Sequence, residues 1–219
     1  MRIALIHAVT QAMSPIHDAF DRHWPDAERI NILDDSLGRD RADDAMATSC
    51  TDHRIKSLGR YALDCNVDAV LYTCSAFGRA IDTVAADAQV PVRKPNEAMF
   101  REALNYGDHI GLLGTFGPAM QGMREEFEAL CRQQGAGRLD SLCIEHAGQA
   151  LREGRQHEHE QLICDAIQRL AHCDAIMLAH FSTSLALDPA RQRASRPVLS
   201  SPDAAVRALK HELCPERQP

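Results

Sequence analysis

The sequence predicts an α/β protein of two pseudo-symmetric lobes, each a mainly parallel sheet flanked by helices, and three observations carry that prediction. Short apolar runs alternate with helix-period segments along almost the whole chain. The runs are continuously apolar, as in parallel strands covered on both faces. The second half also repeats the first at an offset of 106 residues, the signature of an internal duplication.

Taken in chain order, strands are expected at 2–7 (RIALIH), 28–33, 67–73 (VDAVLYT), 109–114 (HIGLLG), 139–144, 174–179 (DAIMLA) and 196–199. Between them, Ile55, Leu58, Ala62 and Cys65 form one helical stripe, and Met123, Phe127, Leu130 and Cys131 another. Pro118 suits the first turn of that second helix and Gly135 the position after its end. Residues 155–171 read as a polar-faced helix with Ile163, Ile167 and Leu170 inside. Ser201-Pro202-Asp203 reads as an N-cap, a proline at the first helical position and an acid in the first turn. The stretch 38–52 and the last few residues look frayed.

The repeat places VDAVLYTCSA (67–76) on CDAIMLAHFS (173–182). Asp68 falls on Asp174, Cys74 on His180, Pro91-Val92 on Pro197-Val198, Glu97-Ala98 on Asp203-Ala204 and Arg101 on Arg207. Ile3-Ala4-Leu5-Ile6 lies 107 residues before Ile110-Gly111-Leu112-Leu113. The expected division is 1–95 plus 200–219 for the first lobe and 96–199 for the second, with the active site in the cleft between them. Ligands of open α/β sheets bind at the carboxyl ends of strands. Cys74 and His180 each follow such an end, so a pseudo-twofold would bring them face to face across the cleft.

Composition narrows the class. With 219 residues, 45% hydrophobic and 25% charged, the chain suits a soluble globular protein with a substantial core. Its net charge of −7, without a basic stripe, argues against nucleic acid. No apolar run reaches the roughly 18 residues of a membrane helix. The opening MRIALIHAVT fits a first strand better than a signal peptide. Eight irregularly spaced cysteines suggest free thiols in a reducing cytoplasm.

With these features the chain resembles the aspartate/glutamate racemase superfamily, which includes hydantoin racemases, maleate isomerase and arylmalonate decarboxylase. The resemblance rests on the duplicated halves, VLYTCSAFG, HIGLLGTFGP, and DAIMLAHFSTS followed by RPVLSSPDAAV. NILDDSL and PVRKPNEAMF add to it. It implies proton transfer next to a carboxylate of a small substrate, by racemisation, epimerisation or isomerisation, with neither metal nor PLP as cofactor. It also implies a possible homodimer. Members usually carry a cysteine at each of the two equivalent strand ends. Here Cys74 matches the first and His180 stands at the second. Some members keep one cysteine, and the decarboxylases among them use a single thiol as proton donor. A one-thiol decarboxylase and a non-catalytic carboxylate-binding protein are therefore the alternatives.

Cys74 and His180 are the expected catalytic pair. A thiol titrates near 8.5 and falls when hydrogen bonds favour the thiolate. Thr73, Ser75 and backbone N–H groups such as that of Ala76 are expected to act in this way and to hold the substrate. Thr115 resembles the family's substrate-contacting threonine, and His7 ends the first strand at the pocket. Phe181 and Ser182 follow His180, with Thr183 and Ser184 beyond as carboxylate binders or a helix cap. Ser14, Asp34, Ser36 and Asn96 are weaker candidates. His157-Glu158-His159 is expected to be a solvated helix face, because residues two apart diverge. Cys50-Thr51-Asp52-His53 lacks a second metal-ligand pair.

Overall fold

The computed structural model describes residues 1–43 and 48–215. In the first half, β1 (Arg2–His7) leads through a 3-10 turn (Thr10–Ala12) into α1 (Met13–His23), followed by β2 (Glu28–Leu33), α2 (Leu37–Asp43) and α3 (Thr48–Asp64). Then come β3 (Ala69–Tyr72), a 3-10 turn (Ser75–Phe77) entering α4 (Gly78–Asp87), β4 (Val92–Arg93) and α5 (Glu97–Ala103). The second half starts with β5 (His109–Gly114), α6 (Gly117–Gln134), β6 (Arg138–Cys143), α7 (Glu145–Arg152) and α8 (Gln156–Ile167). It ends with β7 (Ala175–Leu178), a 3-10 turn (Phe181–Ala186), α9 (Leu187–Arg193), β8 (Val198–Ser200) and α10 (Ser201–Leu213).

These strands form two four-stranded parallel sheets with the same order, β2-β1-β3-β4 and β6-β5-β7-β8. The duplication extends to single hydrogen bonds. Asp68 accepts from the backbone N–H of Arg2 at 2.6 Å, and Asp174 from that of His109 at 2.9 Å. Val70 donates to the carbonyl of Pro91 and Ile176 to that of Pro197, each at 2.9 Å. A carboxylate that ties two strands at their amino ends cannot be exchanged for an apolar residue without leaving a backbone donor unpaired. This explains why the aspartates repeat while the apolar residues around them drift.

Alternation along the central strands feeds three cores. Ala4, Ile6, Val70 and Tyr72 of the first sheet share one cluster with Ile110, Leu112, Ala175 and Met177 of the second, closed by Met123 and Phe127 of α6. Ile3 and Leu5 turn the other way, onto Phe20 of α1, Trp24 just past its end, and Val206 and Leu209 of α10. Leu113, Ile176 and Leu178 pack on α8 and α9. The continuous core between the sheets fixes how their carboxyl ends meet. Among the described residues, no helix is long and apolar enough to cross a membrane.

The expected elements differ from the structure in few places. The last strand starts at Val198 instead of 196, because Pro197 offers no N–H to the ladder. The two-residue β4 is too short to show periodicity. The cap of α10 is Ser200, whose Oγ accepts from Asp203, and Ser201 is already helical. Residues 38–52 are less irregular than expected, since α2 and α3 occupy 37–43 and 48–64. Residues 44–47 of that stretch, and 216–219 of the frayed end, lie outside the described residues. His157 is exposed as expected, but His159 is fully buried, its Nδ1 donating to the carbonyl of Ala147 at 2.9 Å.

Candidate active site

The carboxyl ends of β3, β5 and β7 open into a cavity of about 690 Å³. Thr73, Cys74 and Ser75 line it from the end of β3, and Thr115, Phe116 and Gly117 from the end of β5. His180, Phe181 and Ser182 line it from the end of β7. The β1–α1 turn, α2 and α7 supply the remaining wall. Parallel strands that run into helix starts collect unpaired backbone N–H groups at one end of a sheet, an environment that favours an anion.

Cys74 is extended (φ −120°, ψ 126°) and opens the 3-10 turn Ser75–Phe77. The expectation of a lowered thiol pKa is overturned. Burial pushes the Cys74 thiol up to about 11, against the opposing pull of the Ala76 N–H and the Arg41 guanidinium. The hydroxyls that were to stabilise a thiolate are engaged elsewhere. Thr73 bonds to His7 and to the Ile6 carbonyl, and Ser75 bonds to His180.

His180 sits at φ 66°, ψ 136°, a backbone region that L residues rarely adopt. Its Nδ1 lies 3.0 Å from Ser75 Oγ, a contact that joins the two lobes at the residue next to Cys74. Its Nε2 is buried with no hydrogen-bond partner. Burial lowers the imidazole pKa to about 4, so it is neutral at physiological pH. When Nδ1–H donates to Ser75, the Nε2 lone pair is free to act as a base. Space for the ring depends on Gly114, where a Cβ would stand 3.0 Å from Nε2.

Seven of the nine expected site residues line this cavity: Thr73, Cys74, Ser75, Thr115, His180, Phe181 and Ser182. His7 and Ala76 do not. His7 is fully buried one layer back, bonded to Thr73 Oγ1 at 2.9 Å and to Asn31 Oδ1 at 3.0 Å. Burial brings its pKa down to about 4, so it acts as a neutral strut beneath Thr73. Ala76 faces a second cleft lined by α4, α5 and α6. Thr183 is buried with its Oγ1 3.4 Å from Thr115 Oγ1, and Ser184 donates to the Phe181 carbonyl.

The weaker candidates serve the fold. Asp34 and Ser36 are bound by Arg54, and Asn96 is buried against Ser201 and Met123. Ser14 bonds to Asp18 on the same helix.

The sequence reading missed four charged lining residues, Asp35, Arg39, Glu145 and Arg152. Arg39, Glu145 and Arg152 lie on α2 and α7, where no motif marks them, and Asp35 lies within NILDDSL, of which only its neighbours Asp34 and Ser36 were singled out. Only the general rule that helices after strands face the ligand end would have found them.

Comparison with known proteins agrees with this architecture. A model of the Asp/Glu/Hydantoin racemase family matches residues 6–172. Glutamate racemase from Campylobacter jejuni subsp. jejuni superposes with TM-score 0.70 at 18% identity, covering 97% of this chain and 86% of that one. Allantoin racemase from Klebsiella pneumoniae gives 0.67 at 21% identity, covering 96% and 86%. The Gly74Cys mutant of arylmalonate decarboxylase, in its sulfate-associated form, gives 0.67 at 12% identity, covering 100% and 95%. Among curated proteins, none matches the sequence. At these identities the superpositions establish the fold, and the family match over most of the sequence establishes membership: the chain belongs to the Asp/Glu/hydantoin racemase family.

Proposed function

We propose that this protein is a cofactor-independent isomerase that moves a proton at a carbon next to a carboxylate, with Cys74 and His180 as the acid/base pair. The observation that carries the reading is the placement of these two residues. They stand at equivalent strand ends on one cavity, with Ser75 bonded directly to His180. Arg39 and Arg152 on the wall suit a substrate carboxylate. Among the described residues, no lysine lines the cavity to form a Schiff base.

The two neutral groups hold one transferable proton between them. Neutral His180 takes the proton from the substrate carbon while the Cys74 thiol delivers one to the opposite face. The pair is left as imidazolium and thiolate, and after product release a proton passing from the imidazolium to the thiolate, through solvent in the cavity, restores it. Neither group needs to ionise in the resting enzyme, which accords with a thiol held near 11 and an imidazole near 4. Such positioned proton transfer contributes typically 10²–10⁴-fold in rate.

The protonated thiol also favours a second reading, a decarboxylase. There, loss of carbon dioxide leaves an electron pair on the substrate carbon, and Cys74 protonates it. Both readings are tested by chiral chromatography of each enantiomer of aspartate, glutamate and small hydantoins, alongside carbon dioxide release from an aryl malonate. Conversion lost in both Cys74→Ala and His180→Ala supports the pair. Conversion lost in Cys74→Ala alone supports the one-thiol reading. Conversion unchanged in Cys74→Ala overturns both.

A further inference from the structure

At the opposite end of the second sheet lies a cluster that the proton chemistry does not use. His109 opens β5, Asp140 stands on neighbouring β6, and His172 and Cys173 form the turn that leads into β7. One ligand atom from each of the four lies within 4.8 Å of the others. A tetrahedral zinc ion with bonds of roughly 2.0–2.3 Å sets its ligand atoms about 3.3–3.8 Å apart, so a contraction of about 1 Å would close the set. We propose that His109, Asp140, His172 and Cys173 form a structural binding site for a tetrahedral transition-metal ion of the zinc type.

Three further features support the site. The first is ligand chemistry: two imidazoles, one thiol and one carboxylate form a mixed set that suits zinc better than calcium or magnesium. The second is room at the centre. Gly111 pairs with Asp140 in the ladder, and a Cβ there would stand 3.3 Å from Cys173 Sγ. A side chain there would press on Cys173 Sγ and on Leu170, each of which would have to give by a few tenths of an ångström. The third is incomplete hydrogen bonding. His109 Nε2 is buried and approaches Asp140 at 3.1 Å without a directed hydrogen bond. His172 Nε2 reaches the same carboxylate oxygen at 2.6 Å. Both imidazoles converge on one oxygen, as they would around a shared ion.

Arg138 gives the proposal a specific consequence. Its guanidinium donates to His109 Nδ1 at 2.7 Å, which places the imidazole proton on Nε2 in the metal-free state. A metal on Nε2 requires that proton to move to Nδ1, and the exposed Arg138 must then swing away. Arg138 therefore competes with the metal. The Cys173 thiol loses its proton to solvent on binding, as any metal-bound thiolate does. The site clips the starts of β5, β6 and β7 together, six strand residues away from the catalytic ends, or roughly 20 Å.

The test uses the full-length protein, stripped with a chelator and titrated with Co²⁺ as an optical probe, then with Zn²⁺. The expected result is one equivalent of Co²⁺ with a thiolate-to-metal absorption band, displaced by Zn²⁺, and a rise in Tm with either ion. The band persists in Cys74→Ala and disappears in Cys173→Ser. The exposed variant His172→Ala, which leaves the core untouched, binds at least tenfold more weakly, and Arg138→Ala binds more tightly. Absence of stoichiometric Co²⁺ binding, or unchanged affinity in His172→Ala, would overturn the proposal. Neither outcome depends on the function proposed for the cavity.

Discussion

Replacing His180 by glycine and by alanine separates the chemistry of the imidazole from the strain of the backbone that carries it. His180 is held at φ 66°, ψ 136°, and the other non-glycine residue with positive φ among the described residues is Asn66, at φ 53°. At ψ 136° His180 lies outside the left-handed helical well that asparagine and histidine tolerate, and such a conformation costs a residue with a Cβ about 1–3 kcal/mol. Both variants delete the same ring and leave the same Ser75 hydroxyl without its partner. They differ only in the Cβ and in the freedom of the unfolded chain. Glycine relieves the strain but loses about 0.4–1 kcal/mol through unfolded-state entropy. Taking the middle of each range, the net difference is about 1–2 kcal/mol in favour of His180→Gly. For a chain of this size that corresponds to a Tm roughly 2–8 °C above that of His180→Ala, read by circular dichroism during thermal unfolding. Neither variant should racemise substrate. A Tm for His180→Ala equal to or above that of His180→Gly would show that the backbone is unstrained. His180 would then carry no conformational cost.

Three other outcomes follow from the same geometry. Gly114→Ala would put a Cβ 2.4 Å from Met120 Sδ and 3.0 Å from His180 Nε2. The methionine can move but the ring is tethered to Ser75, so turnover should drop roughly 10–100-fold, with stability lowered by only about 1 kcal/mol. Cys74, with its thiol near 11, should alkylate at pH 7.5 more slowly than the exposed Cys50 and Cys214 and speed up steeply above pH 9, as read by peptide mass mapping. His7 and His180 are both lowered to about 4, so below their unfolded value of 6.5 the unfolded chain takes up protons that the native state refuses. Stability should therefore fall as pH drops from 6.5 towards 4, by roughly 2 kcal/mol per imidazole at pH 5, in urea titrations.

Much of this architecture was legible because the duplication writes it twice. The aspartates at 68 and 174 and the Pro-Val pairs mark the same structural points in each half, so the two-lobed layout and the equivalence of positions 74 and 180 followed from the repeat, and the carboxyl-end rule for open α/β sheets gave the ligand end. What escaped depended on side-chain direction in three dimensions. Cys74 is half-buried against the core packed between the sheets, which no local pattern encodes, and this desolvation reverses the expected thiol shift. His7 stands at the correct strand end but bends back to Asn31, a partner on the adjacent strand β2. Arg39 and Arg152 lie on helices whose sequences carry no motif. The four-residue cluster at the base of the second sheet draws on three separated strand starts. Its members come together only through the β6-β5-β7 order.

The central claim is that the Cys74 thiol transfers a proton to or from a carbon beside a carboxylate. Solvent deuterium exchange tests it most directly. The wild-type protein and Cys74→Ala would be incubated in D2O with both enantiomers of aspartate and glutamate, hydantoins, maleate and an aryl malonate, and followed by proton NMR. The account predicts deuterium at the carbon next to the carboxyl or carbonyl group in at least one compound with the wild type, and none with Cys74→Ala. Incorporation that continues at the same rate without the thiol would contradict it.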